Sequence, residues 1–106
     1  ALAAAGGLVA ARRRSRALRA RAALDQALAA AGDDEAAALA RALRSALARR
    51  VPGAASLTAE EITALPALPA AVAETTRLLA EAERARFDPT ASAPSREAVA
   101  RAIAKL

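Results

Sequence analysis

Leucines at 39, 43 and 47 recur at four-residue intervals, and Ala36 and Ala40 extend the same side. That period marks one face of an α-helix and predicts a helix over about 34–50. Asp33 or Asp34 can cap its start, and Asp34 and Glu35 suit its positive end. Arg41, Arg44, Arg49 and Arg50 fall on the more polar side or near the C-terminal end, where cations are favoured. Val51-Pro52-Gly53 stops it. Upstream, Leu24 and Leu28 share a face with Ala17, Ala20 and Ala31 nearby, while Leu18 lies off it. This predicts a helix from Ser15 to about Ala31, ended by Gly32.

The second half of the chain has sharper punctuation. In Ser56-Leu-Thr-Ala-Glu-Glu-Ile62, Thr58 and Glu61 have the spacing of a capping box, and Leu57 and Ile62 that of a hydrophobic staple. A short helix follows and stops near Leu65, because Pro66 restricts the residue before it. Pro69 suits the first turn of a long helix running to about Phe87. Val72, Leu78 and Leu79 are its apolar members, with Thr75, Thr76 and Ala82 filling the face between them. Asp88-Pro89 closes that helix and residues 90–94 read as a turn. Ser95 then caps a last helix, whose Val99, Ile103 and Leu106 form a docking stripe.

The N-terminal stretch has no stripe. Eleven small or apolar residues, Gly6 and Gly7 among them, run directly into Arg12-Arg13-Arg14. A secretory signal places its charges before the apolar run; here they come after it. That order fits the end of a transmembrane helix whose following end faces the cytoplasm, and the other reading is an alanine-rich helix start. The fold class expected is all-α: a small bundle of four to five helices with a basic N-terminal extension ending a transmembrane helix. Residues 1–14 form that apolar segment and residues 15–106 a small helical domain.

Composition supports the helices and limits the core. The chain has 38 alanines but only 14 Leu, 4 Val, 2 Ile and one Phe. Alanine, leucine, arginine and glutamate favour helix, and too few β-branched or aromatic residues remain for a sheet. Alanine buries little area, at roughly 25 cal/mol per Å², so marginal stability completed by a partner is expected.

Charge is unevenly placed. The net charge is +5, yet the first 21 residues hold six arginines and no acid. The remainder is nearly neutral, which is not the footprint of a broadly basic nucleic-acid binder. Arg12, Arg13, Arg14, Arg16, Arg19 and Arg21 read as a membrane-proximal basic patch facing anionic lipid headgroups, at about 1 kcal/mol each near the surface. The competing readings are nonspecific phosphate binding by a helical regulator through residues 12–21 and simple solubility. Nucleic acid is the less favoured partner, since no aromatic stacking residue lies in that stretch.

Catalytic chemistry finds no constellation. Without cysteine or histidine, the chain lacks thiol nucleophiles, the commonest metal ligands and the usual neutral-pH base. Glu60-Glu61 and Glu81-x-Glu83 point in divergent directions on helices and lack the set separation of a glycosidase pair. Asp33-Asp34-Glu35 lacks the longer loop of a calcium site, and Gly6-Gly7 has no phosphate-loop context. The chain reads as non-enzymatic, with no catalytic, cofactor-binding or metal-ligating residues. On the long helix Arg77, Glu81, Arg84 and Phe87 form a candidate partner surface. A solvated face is the plainer reading of its charges, and Phe87 is expected to pack in the core or at the helix end, with an interface anchor as the other reading.

Three segments in order resemble a known family. An apolar stretch ends in Arg12-Arg13-Arg14; a helix reads Asp34-Glu-Ala-Ala-Ala-Leu-Ala-Arg-Ala-Leu-Arg-Ser-Ala-Leu47; and Leu57-Thr-Ala-Glu-Glu-Ile62 leads to a helix closing on Arg86-Phe87. This resembles the C-terminal cytoplasmic tail of the BatD family of aerotolerance-associated membrane proteins. The resemblance implies a single transmembrane helix followed by a helical docking or scaffold module. It implies a place on the cytoplasmic side of the bacterial inner membrane, and a MoxR-type ATPase or a von Willebrand factor A protein as partner.

Overall fold

The computed structural model describes residues 2–106, with side chains from Gly7 onward. Five α-helices follow in order: α1 Leu2–Ala31, α2 Glu35–Arg50, α3 Ala59–Thr63, α4 Ala70–Phe87 and α5 Arg96–Lys105, with a 3₁₀ turn at Ala54–Ser56 between α2 and α3. Gly32 reverses the chain after α1 at φ 64° and Gly53 turns it after α2 at φ 80°, both left-handed positions that favour glycine.

Helix α2 is central. It packs on α4 and α1, α5 closes against α1 and α4, and α3 lies on α4. The core gathers Leu24 from α1, Leu39, Leu43 and Leu47 from α2, Ile62 from α3, Leu79 from α4 and Val99 from α5, all without solvent exposure. Thr75 and Thr76 are buried with them, and their hydroxyls donate to the carbonyls of Ala71 and Val72 at 2.8 and 2.7 Å. Buried alanines at 38, 40, 42, 46, 54, 82 and 102 let the helix backbones approach closely.

Local caps hold the ends. Asp34 accepts from the Ala37 amide and Ser95 from the Ala98 amide. Thr58 and Glu61 bond reciprocally at 3.0 and 3.1 Å, the capping box the spacing predicts. These bonds hold the Glu61 carboxyl below its usual range, the Thr58 backbone amide first and its hydroxyl second. Arg44 ties three segments together. Its guanidinium donates to the Leu57 carbonyl at 2.6 Å, to the Ala54 carbonyl at 3.3 Å and to Glu83 at 2.7 Å. Glu35 and Arg96 pair at 2.6 Å between the starts of α2 and α5, which holds the Arg96 guanidinium still more firmly protonated.

The expected all-helical bundle is present, and its expected transmembrane portion is not. Ala1 lies outside the described residues. Among the rest, no helix is long and apolar enough to cross a membrane. Leu2–Ala31 is one continuous helix of 30 residues, about 45 Å at 1.5 Å per residue. Among the described residues the apolar run before Arg12 covers roughly half the 20 that hydrocarbon needs. The helix then carries six arginines straight into the bundle. The transmembrane helix expected at residues 1–14 is therefore not found among the described residues, and the inner-membrane location and anchored-tail function that the BatD resemblance implies lose the segment they rest on.

Phe87 is the second correction. It is 79% exposed, not packed in the core. Helix α4 buries Val72, Thr75, Thr76, Leu78, Leu79 and Ala82, and Phe87 is its last residue, about 100° round from the centre of that face at 3.6 residues per turn. The Arg86 guanidinium lies 5.3 Å from the ring centre instead.

Candidate functional site

Helix α1 has two halves with different surroundings. From Ala20 onward it buries Ala20 and Leu24 and half-buries Ala23, Ala27, Leu28 and Ala31 against the bundle. From Gly7 to Arg19 every residue is exposed except Ala10, which is half-exposed. Leu8, Val9 and Leu18 stand in solvent at 55, 48 and 71% exposure. This half of the helix stands clear of the bundle, and the molecule is correspondingly long, 52 × 34 × 21 Å.

All six N-terminal arginines are exposed on this helix or at its root. Helical periodicity separates them into faces. Arg12, Arg16 and Arg19 share one stripe. Arg14 and Arg21 share the opposite one, and Arg13 points between them. The six are therefore brought together along about 14 Å of helix but not onto one face. Among the described residues Arg21 alone of the six meets a carboxylate, Asp25 at 3.6 Å, with both side chains half-exposed. Such a pair contributes little. Arg19 makes one long bond to the Ser15 carbonyl at 3.4 Å.

Two shallow hollows continue from the Arg12–Arg16–Arg19 stripe. The first, about 380 Å³, is edged by Arg16, Arg19 and Arg49 over a floor that includes Ala20, Ala23 and Ile103. The second, about 320 Å³, is edged by Arg41 and Arg49, with Ala27, Ala30 and Ala42 in its floor. Ala23, Arg49 and Ile103 belong to both, so the hollows form one groove along α1, walled by α5 at the first hollow and by α2 at the second. No acidic side chain lines either one. Arg41 and Arg49 appear in the sequence only as a helix's polar side. The place of Arg49 across from Arg16 and Arg19, and of Arg41 across from Ala27 and Ala30, depends on the α1–α2 turn, which a periodic pattern does not specify.

The Arg77, Glu81, Arg84 and Phe87 group has a different character. Arg77 and Glu81 pair along α4 at 2.8 Å, so their charges largely cancel. Glu74 pairs with Lys105 of α5 at 3.6 Å, not with its helix neighbour Arg77. Arg77 edges an apolar hollow of about 500 Å³ between α3 and α4, with Ala59, Ala73, Thr76 and Ala80. Phe87 is not among the residues lining it. Asp34, from the acidic run 33–35, caps α2, and no group of three or more acidic residues is placed to hold a metal ion among the described residues.

No family model matches the chain, and neither does a curated protein or a solved structure.

Proposed function

We propose that this chain is a non-enzymatic helical regulator whose α1 binds the phosphates of duplex nucleic acid without reading sequence. The observation that carries this is the projecting half of α1, where arginines occupy several faces and five of the six have no carboxylate partner among the described residues. A flat anionic surface meets one face of a helix. A groove meets several. The major groove is about 12 Å wide and admits an α-helix, whose diameter is about 10–12 Å. Arg12, Arg16 and Arg19 then reach one strand, and Arg14 and Arg21 the other. The exposed apolar residues agree with this choice. Leu8, Val9 and Leu18 fall on three different faces by helical periodicity, so they form no single side to lie in a lipid interface. Arginine contacts of this kind position a protein on the backbone and carry no sequence information.

The test is a titration of a labelled 20-base-pair duplex with the protein across a series of salt concentrations. Five or six phosphate contacts predict a slope of log K against log salt near −5. Affinity then falls about 1,000-fold between 50 and 200 mM salt. Two duplexes of unrelated sequence bind alike, and Arg12→Gln/Arg13→Gln/Arg14→Gln makes the slope about 2.7 shallower. A slope near zero, or tight binding to one sequence only, sinks the reading.

A further inference from the structure

The groove begins at Arg16 and Arg19, where the projecting half of α1 enters the bundle, and runs on beside α2. We infer that this groove is the second half of the binding site, in which Arg49 and Arg41 hold the phosphate backbone of one strand as it leaves the α1 tip. The inference rests on the duplex-binding reading above and extends it from one helix to two.

Three observations carry it. The first is alignment. Arg12, Arg16 and Arg19 occupy one stripe of α1, and Arg41, Ser45 and Arg49 occupy one stripe of α2 at four-residue spacing. Arg16 and Arg19 border the first hollow, Arg41 and Ser45 the second, and Arg49 both. Because a tight turn at Gly32 joins the helices, α2 runs back along α1, so Arg49 lies beside Arg16 and Arg19, and Arg41 lies farther along toward the turn. The arginines thus spread over about 27 Å of α1, the axial reach from Arg12 to Ala30. At about 3.4 Å of duplex axis per nucleotide of one strand, that spans about eight base pairs.

The second observation is relief. Alanines make up most of the floor, at 20, 23, 27, 30 and 42. They keep the α1 and α2 sides of the channel low beneath the arginine heads, and Ile103 of α5 is the large apolar side chain common to both hollows. The third is charge. Neither hollow has an acidic lining residue, and neither Arg41 nor Arg49 pairs with a carboxylate among the described residues. Arg44, one turn from Arg41, is by contrast committed to Glu83 and two carbonyls. The absence of aromatic side chains from the groove argues for a stacked duplex over a splayed single strand, which needs stacking platforms.

The experiment compares the intact chain with Arg41→Gln/Arg49→Gln, with Ala30→Glu, and with Arg101→Gln as an exposed control outside the groove. Each is titrated with the same 20-base-pair duplex over the salt series. The double variant is expected to make the slope about 1.8 shallower, two contacts at 0.9 each. Ala30→Glu, which places a carboxylate in the channel, is expected to weaken binding about tenfold at low salt, an effect of like charge alone. Arg101→Gln leaves the slope within the error of the intact chain. All four positions are exposed, and matching circular dichroism and melting curves establish that the variants fold.

If the intact chain binds and Arg12→Gln/Arg13→Gln/Arg14→Gln weakens it, while the groove variants behave like Arg101→Gln, the groove inference is overturned and the α1 reading stands. If the intact chain does not bind duplex, both fall. Preferential binding of a single-stranded 20-mer, or of anionic vesicles, over the duplex overturns the assignment of the occupant.

Discussion

Ala67 holds its backbone at φ 56°, between Pro66 and Leu68 in the bend before α4. A Cβ in that left-handed region costs about 1–2 kcal/mol, and glycine removes the cost while adding entropy to the unfolded chain. Ala67→Gly is therefore expected to stabilise the fold by about 0.5–1 kcal/mol, read as a higher midpoint in urea at unchanged slope. Glu61 supplies a pH-dependent counterpart. Its folded pKa is depressed by the Thr58 amide and hydroxyl, so it contributes stability that is fully present above its unfolded value near 4.3 and is lost as pH falls through the lower folded value. Asp88, held down by the Thr90 hydroxyl and then its amide, adds to the same acidic loss. Glu61→Gln keeps a capping-box acceptor and is expected to flatten the acid limb of a melting-temperature profile between pH 5 and 2. An unchanged acid limb in that variant would remove Glu61 from the account. Arg44 bridges segments up to 39 residues apart, and Arg44→Ala leaves the Leu57 and Ala54 carbonyls and Glu83 without their donor. A loss of about 1–3 kcal/mol is expected, with Arg44→Lys recovering only part because one ammonium cannot span the guanidinium's fork.

At the scale of elements, the helices with a stripe were the legible ones. Leu39, Leu43 and Leu47 define α2, and Asp34, Thr58 and Ser95 sit at the caps their spacing predicts. The first half of α1 was not legible. Its alanines and arginines favour helix equally on every side, and Gly6-Gly7 weakens even that preference, so the pattern gives no face and no start. The sequence placed the helix start at Ser15; the structure carries it back to Leu2 because no packing requirement interrupts it. The same lack of a stripe invited the transmembrane reading. Phe87 shows the complementary failure: a large aromatic reads as core by type alone, while its place as the last residue of α4, beyond Ala82, the helix's last buried position, leaves it in solvent. The groove arginines of α2 were visible as residues but not as a site, since helix periodicity says nothing about what lies across a turn. One prediction belongs to α1 itself. A methyl group at Gly7 meets nothing within 4 Å, so Gly7→Ala adds about 1 kcal/mol of local helix propensity. Slower amide exchange within the projecting half is expected, with the global unfolding midpoint almost unchanged. A large shift in that midpoint would mean that this half is packed against something.

At the scale of the whole molecule, a thin core leaves each large side chain with a large share of stability. Leu43 is fully buried in the central helix. Leu43→Ala is expected to cost about 2–5 kcal/mol out of a total of about 5–15 for a typical domain, which equilibrium denaturation would read directly. The alanines that thin the core also bring α1, α2 and α5 close together, and this closeness sets the groove arginines opposite one another. The placement of charge has a further consequence, in time as well as in space. Six positive charges sit on residues 12–21 while the other 85 residues, 22–106, nearly cancel. The molecule is thus a dipole with its positive pole carried out along its long axis. In the field of a polyanion it turns before it touches, and encounters begin at the tip of α1. Steering of this kind raises association rates by about 10- to 1,000-fold at low ionic strength and fades once the Debye length shrinks to about 8 Å near 0.15 M salt. A stopped-flow series over ionic strength would separate this orienting torque, which acts on the forward rate, from the contacts that govern release.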